Sequence, residues 1–425
     1  MHYLNEMLHN RKLQNILQYV SKNIPYYDNI INSDCINNST FDELYNVFLE
    51  IPITNKTIIR NDYKRFTNYK LSNLKIDNSF ESIDYNGQES VIKLADKMLI
   101  AEYTSGSDGI PFMVIKSFEE RIKLGMNLWK LRNTFHPASS EKMLYFIHKP
   151  KFINYPVTFF RNENNTTSVC DEIDFIDGSQ YTWWHTCTRL LDAYMNIISK
   201  NEIECTFENL RVIENNAAFL SDKNRKKYEM FYGCKVANNY GCREIWNIAF
   251  DCREQYLHIN EEVLFFELID DNDSVITEPN KYGKIVLTSY YLKEMPFIRY
   301  AIGDSACYLD GTCKCGRNTR RIKLQGERNI IIGSNGLNGD EYFTNVVYGV
   351  TFSEGINFDS ILVTQIGHKK FLVNIKGNHN NKSIIEQSFT QLADEYIPIS
   401  DCEYLFTYNN EFEQKSIFQA RIESA

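Results

Sequence analysis

Residues 101–114 read AEYTSGSDGIPFMV. An apolar run enters, small and polar residues follow from Thr104 to Gly109, and Pro111 opens a second apolar run. Gly, Ser, Asp and Pro are turn formers, so a plain turn is one reading. The other is a loop that cradles a polyphosphate. Glycine permits close backbone approach, and successive N–H groups make an anion nest. The stretch by itself fits both. Neither G-x-x-x-x-G-K-[ST] nor G-x-G-x-x-G occurs, which excludes the P-loop and the dinucleotide fingerprint.

Working outward, VIKLADKMLIAEYT leads into the loop, and FMVIKS leaves it as a strand. EERIKLGMNLWKLRNTF then has helical spacing. SDKNRKKYEMFYG reads as another helix, closed by Gly233. Near the N-terminus Leu13, Ile16, Leu17 and Val20 share a helical face that Pro25 ends. Strand–helix alternation of this kind predicts an α/β domain. Beyond residue 260, EEVLFFELID and GKIVLTSYY read as strands of a more antiparallel region. Residues 337–425 carry DSILVTQIG, KKFLVNIKG, the helical KSIIEQSFTQLADEYI and CEYLFTYNN, a small β-β-α-β block.

The chain has 425 residues, more than one ordinary core holds. Apolar residues make up 43%, enough for globular burial. A formal charge of −9 argues against a nucleic-acid backbone binder. No apolar run reaches the roughly 18 residues of a membrane helix, and MHYLNEMLHNRKLQ lacks a signal-peptide core, so a cytoplasmic protein is expected. Its 11 cysteines are then reduced thiols, and any cluster of them points to metal before disulfide.

Three further segments stand out: NNYGCREI at 238–245, MPFIRYAIGDSA at 295–306 and QGERNIIIGSNG at 325–336. Singly they are weak, since a lone Glu244 is more often a solvated carboxylate than a metal ligand. In this order, with TSGSDGIP before them, CKCGR between the last two, and VSKNIPYY and IPITNKTIIR upstream, they resemble the adenylate-forming superfamily of acyl-CoA synthetases and luciferases. The resemblance is to the phenylacetate–CoA ligase branch and its capsule-biosynthesis-type relatives, and it covers nearly the whole chain.

The resemblance implies an α/β fold: a large multi-subdomain N-terminal adenylation domain, 1–328, and a small mobile α+β C-terminal domain, 329–425. It implies that Thr104, Ser105, Gly106, Ser107 and Gly109 hold ATP phosphates, and that Asn239, Tyr240 and Gly241 line the adenine and acyl pockets. Glu244 would hold Mg²⁺, a hard cation that takes carboxylate oxygen. Asp304 would accept the ribose hydroxyls. The segment around Arg328 would be the hinge, and Lys415 would reach the α-phosphate. The reaction implied is adenylation of a carboxylic acid, aryl or otherwise planar, to acyl-AMP, then transfer to coenzyme A or a carrier protein. Transfer to an amine, or a degenerate member that binds nucleotide without turnover, is the alternative.

Departures from the family pattern bear on efficiency rather than fold. Asp108 places a negative charge near the phosphates, and Ile110 stands where Lys is frequent. Arg243 replaces a hydroxyl residue and can itself fork an α-phosphate. ENNAAFLS, with Ala218, stands where Gly-Gly-Glu-Pro is common, and Gly326-Glu327-Arg328 shifts the hinge arginine by one.

Cys252 and His258 in DCREQYLH, with Cys313 and Cys315 in CKCGR, form a set of soft ligands. C-x-C is tighter than zinc-finger spacing, so spacing alone fits unligated thiols as well as metal. The branch often carries such a set, which implies a structural Zn²⁺. Trp183, Trp184 and His185 read as core filler with a histidine capping backbone, ahead of a substrate pocket. The acyl pocket is expected to draw also on Phe135 and His136.

Overall fold

A computed structural model describes residues 2–32, 36, 40–71, 89–94, 97–104, 112–137, 142–146, 157–160, 177, 181–200, 202–216, 219–325, 343, 346–347, 350, 354, 356, 360–367, 369–376, 381–396 and 402–408. In chain order come helices α1 (His2–Asn23) and α2 (Phe41–Leu49), strand β1 (Thr54–Asn55), and helices α3 (Lys56–Asn61) and α4 (Tyr63–Phe66). Strands β2 (Glu89–Leu94), β3 (Lys97–Thr104) and β4 (Phe112–Ser117) precede helix α5 (Phe118–Phe135). Next are β5 (Met143–Phe146), β6 (Val157–Phe160), β7 (Trp183–Thr186), α6 (Thr188–Lys200), β8 (Val212–Asn216) and α7 (Asp222–Tyr232). Then follow β9 (Lys235–Tyr240), β10 (Ala249–Asp251), β11 (Leu257–Ile259), β12 (Leu264–Ile269), β13 (Gly283–Ser289), β14 (Tyr300–Tyr308) and β15 (Arg321–Leu324). The last are β16 (Ser360–Gly367), β17 (Lys370–Lys376), α8 (Lys382–Tyr396) and β18 (Glu403–Tyr408).

The chain divides into two compact units. The first comprises Met1–Thr104, Pro111–Ser139 and Asn238–Gln325. Its strands β12, β13, β14, β15, β11 and β10 neighbour one another in that order, all antiparallel, and β10 pairs in turn with β9. β1 joins parallel to β14, with Thr54 opposite Tyr300. A separate antiparallel sheet, β2-β3-β4, carries the two legs of the 105–110 segment. The legs read as apolar strands because Leu99, Ala101, Phe112, Val114 and Ile115 are buried in the unit's main core. α5 starts where Ser117 accepts the Glu120 N–H and Glu120 reciprocates, a capping box. A second core forms where α1 and α2 bury Leu13, Leu17, Val20, Leu44 and Phe48.

The second unit comprises Ser105–Ile110, Ser140–Ala237 and Gly326–Ala425. Here β6, β5, β7 and β8 run parallel, with α6 between β7 and β8. Trp183 and Trp184 are buried, the core role expected of them. α7 ends at Gly233 with φ 68°, a left-handed conformation that glycine takes without a Cβ penalty. In the C-terminal stretch β16 pairs antiparallel with β17, and β18 returns parallel beside β17 after α8. That is the β-β-α-β order the pattern predicts. Among the described residues no helix is long and apolar enough to cross a membrane.

Candidate active site

The turn after β9 is built around a close approach. A Cβ on Gly241 would lie 1.8 Å from the Trp246 carbonyl oxygen, so only glycine fits there. Trp246 N–H bonds the Cys242 carbonyl at 2.7 Å, and Ile248 N–H bonds that of Tyr240 at 2.8 Å. The turn carries Glu244 inward: its side chain is 1% exposed. The solvated carboxylate that a lone glutamate usually is does not apply here. The Tyr300 hydroxyl donates to Glu244 Oε1 at 2.6 Å, and Lys56 Nζ lies 3.9 Å from the same oxygen. Oε2 is buried and has no hydrogen-bond partner among the described residues. Burial, with the Glu244 charge next, holds the Cys242 thiol and Tyr300 hydroxyl well above their ordinary values. An orphaned, buried carboxylate oxygen is costly and is the chemistry that suits a hard cation. Arg243 is half-buried on the same turn.

Asp304 sits on β14 just after Gly303, whose φ is 89°. The Tyr240 hydroxyl donates to Asp304 Oδ2 at 2.6 Å, so YGCRE and GD meet in one place. Asn239 accepts at Oδ1 from Asn247 at 2.6 Å. Asn260 donates to Asn247 and to Asn127 of α5 at 3.0 and 2.7 Å, which extends a buried amide chain behind the turn. Nothing in the spacing of these asparagines announces that chain.

The strands flanking residues 105–110 carry a second buried group. Lys116 and Glu102 are both 0% exposed, with Nζ 2.8 Å from Glu102 Oε2. Trp246 Nε1 donates to the same oxygen at 3.0 Å, and Arg121 Nε lies 3.4 Å from the other. Burial opposes ionisation of Glu102, but the Lys116 and Arg121 charges outweigh it and hold the carboxyl below its usual range. Lys116 Nζ also donates to the Arg243 carbonyl at 2.7 Å. The outward signal was a charge within each apolar run, AEYT and FMVIKS. Ser105, Gly106, Ser107, Gly109, Arg328 and Lys415 lie outside the described residues. Thr104 ends β3 opposite Phe112.

Cys252, His258, Cys313 and Cys315 converge, with ligand atoms all within 4.8 Å of one another. The Cys252 and Cys313 sulfurs are 3.7 Å apart, and Cys315 Sγ is 3.5 Å from His258 Nε2. Tetrahedral ligands on a metal–sulfur bond of roughly 2.3 Å stand about 3.8 Å apart, so the donor set has the right size. His258 Nδ1 faces the Thr319 carbonyl at 3.0 Å, which fixes the tautomer and leaves Nε2 for the cluster. Burial and the Arg317 charge push His258 down to about 4, so it is neutral at pH 7. Burial opposes the change, but hydrogen bonds from the Cys315 backbone and thiol lower Cys313. The described cysteines form no disulfide.

In the second unit His185 does not cap backbone. Its Nδ1 meets Glu214 Oε1 at 3.0 Å and its Nε2 meets Asn216 Nδ2 at 3.2 Å. Register explains this, because β7 and β8 place His185 opposite Glu214. His136 closes α5, its N–H bonding the Arg132 carbonyl.

No protein-family model matches the chain. Protein CapK of Staphylococcus aureus is 26% identical over 175 residues, a match that spans 40% of this chain and 36% of CapK. Among solved structures, 2-hydroxyisobutyryl-CoA ligase in its postadenylation state, in complex with 2-HIB-AMP, is similar with a TM-score of 0.63 at 11% identity. That alignment covers 99% of this chain and 89% of the ligase. The same enzyme in its thioesterification state, with 2-HIB-AMP and CoA, gives a TM-score of 0.61 at 10% identity over 100% of this chain and 90% of that one. The chain has the fold of the adenylate-forming CoA ligases.

Proposed function

We propose that this protein adenylates a carboxylic acid with ATP and passes the acyl group to a thiol, coenzyme A or a carrier protein. The observation that carries the reading is Glu244, a buried carboxylate with an orphaned oxygen on the turn that also brings Tyr240 to Asp304. In this reading Glu244 holds Mg²⁺, which when bound offsets phosphate charge. Asp304, oriented by the Tyr240 hydroxyl, accepts the ribose hydroxyls. Thr104, Ser105, Gly106, Ser107 and Gly109 hold the phosphates, and Arg243 supports the α-phosphate. Asn239, Tyr240 and Gly241 flank the adenine and the acid, which we take to be aryl or planar.

Residues 1–328 then form the adenylation domain and 329–425 a mobile domain hinged near Arg328. Lys415 delivers an ammonium to the attacking carboxylate. The Cys252, His258, Cys313 and Cys315 set holds one structural Zn²⁺. Its removal by Cys313→Ser/Cys315→Ser should cost both the metal and stability, read by metal analysis and thermal unfolding. The reaction itself is tested by incubating the protein with ATP, Mg²⁺ and a panel of aryl and aliphatic acids, with mass-spectrometric detection of acyl-AMP and of its thioester. Lys415→Ala should lose acyl-AMP formation yet still transfer a prepared acyl-adenylate. Absence of acyl-AMP with every acid would refute the proposal.

A further inference from the structure

The Glu102–Lys116 pair is more than a satisfied buried charge. β3 and β4 are the legs of the 105–110 segment, and their register places Ile100 opposite Lys116 and Glu102 opposite Val114. Glu102 and Lys116 therefore sit diagonally on one face of the sheet. Lys116 uses one ammonium proton on Glu102 and another on the Arg243 carbonyl. The indole of Trp246, on the same turn, bonds Glu102 and lies under the Lys116 and Arg121 charges, 5.8 and 5.2 Å from its centroid. Trp246 has φ 69°, a left-handed conformation that a bulky residue keeps only where its surroundings hold it. Two points of the Glu244 turn are thus fastened to the strands that bracket the 105–110 segment.

We infer that Lys116 is a positioning residue. Through the Arg243 carbonyl it sets the height of the Glu244 turn against the two strands, with Glu102 present to neutralise the buried ammonium. This rests on the proposed adenylation, in which Glu244 holds Mg²⁺. Loss of Lys116 should leave the Glu244 carboxyl intact but displaced, so the cost should fall on the Mg²⁺ requirement.

The test compares wild type, Glu102→Gln, and the double variant Glu102→Gln/Lys116→Met in two Mg²⁺ titrations, with ATP held constant and low enough that bulk nucleotide does not set the metal midpoint. One reads acid-dependent ATP–pyrophosphate exchange, and the other direct binding of the metal to the nucleotide-loaded protein with Mn²⁺ as the paramagnetic probe. The double variant leaves no unpaired buried charge, a change folds often tolerate. It should stay folded by circular dichroism and need ~10-fold more Mg²⁺ for half-maximal exchange, the size expected for losing one strong contact to a positioned turn. Glu102→Gln keeps the Lys116 contact with Arg243 and should shift that midpoint by about 3-fold or less. If the double variant does not fold, Glu102→Gln/Lys116→Gln, which can still bond the Arg243 carbonyl, should exchange with a midpoint near that of Glu102→Gln. A folded Glu102→Gln/Lys116→Met protein with the Mg²⁺ midpoint of Glu102→Gln, or a folded Glu102→Gln/Lys116→Gln protein with a midpoint ~10-fold above it, would overturn the positioning role. Wild type that exchanges with no acid would instead overturn the adenylation reading, and this inference with it.

Discussion

Two buried glutamates in the first unit are solved in opposite ways. Glu102, on β3, is met by Lys116, Arg121 and the Trp246 indole. Glu244, on the turn after β9, has the Tyr300 hydroxyl and a lysine at 3.9 Å on one oxygen and nothing described on the other. Burying a carboxylate is expensive unless it is paired and hydrogen-bonded. The first site meets most of that cost within the fold: Glu102 Oε1 also lacks a hydrogen bond among the described residues, but the Arg121 charge lies 3.4 Å from it. The second leaves part of it standing, and such unmet demand belongs where a ligand completes the shell. Glu267 on β12 shows a third solution. Its Oε2 is also unpartnered while Arg299 Nη2 donates to Oε1 at 3.2 Å, and burial outweighs Arg299 and pushes its carboxyl up to about 7, so it gives up its proton only near neutral pH.

The contrast breaks if the two carboxylates respond alike to substitution. Glu102→Ala strands a buried ammonium and should cost ~4 kcal/mol in urea unfolding. Glu244→Gln removes an incompletely paired charge, so its unfolding midpoint should equal or exceed that of wild type. Its exchange rate should nonetheless fall ~100-fold, the scale of losing one electrostatic contact to the reacting phosphates. A Glu244→Gln protein as unstable as Glu102→Ala would make both residues scaffold. Asp304→Ala should weaken ATP binding by about 10-fold in calorimetry, since a charged acceptor for hydroxyls is lost. Unchanged affinity would detach the Tyr240–Asp304 contact from nucleotide.

The smallest effect sharpens the third case. Because the folded pKa of Glu267 is raised, the folded state keeps a proton that the unfolded state loses. Its contribution is therefore fully present below the usual glutamate value and is lost as pH rises toward about 7. Glu267→Gln should flatten that fall, a difference on the order of 1 kcal/mol between pH 5 and 8 in denaturant titrations. Parallel pH profiles for variant and wild type would mean Glu267 is ionised like Glu102.

Local patterns carried much of the fold. The alternation in KKFLVNIKG and the helical spacing of KSIIEQSFTQLADEYI fix β17 and α8, and Ser117 with Glu120 marks the start of α5. Cys252, His258, Cys313 and Cys315 were legible as a set only through the family resemblance, because their spacing alone fits unligated thiols as well as metal. What sequence did not reveal is pairing at a distance. Lys56 reaches Glu244 because β1 lies beside β14, and Lys116 reaches Arg243 across the sheet and turn. His185 finds Glu214 through the β7–β8 register. No one-dimensional spacing encodes such contacts. A charge inside an apolar strand was the only trace, visible at Glu102 and Lys116.

The role of Glu244 in adenylation is read from acid-dependent exchange of pyrophosphate into ATP, run on wild type and Glu244→Gln side by side over one panel of acids. Wild type should exchange with at least one acid, and folded Glu244→Gln should exchange ~100-fold more slowly with the same acid. Wild type without exchange on any acid would rule out adenylation, and a Glu244→Gln protein that matches wild type would remove Glu244 from the reaction.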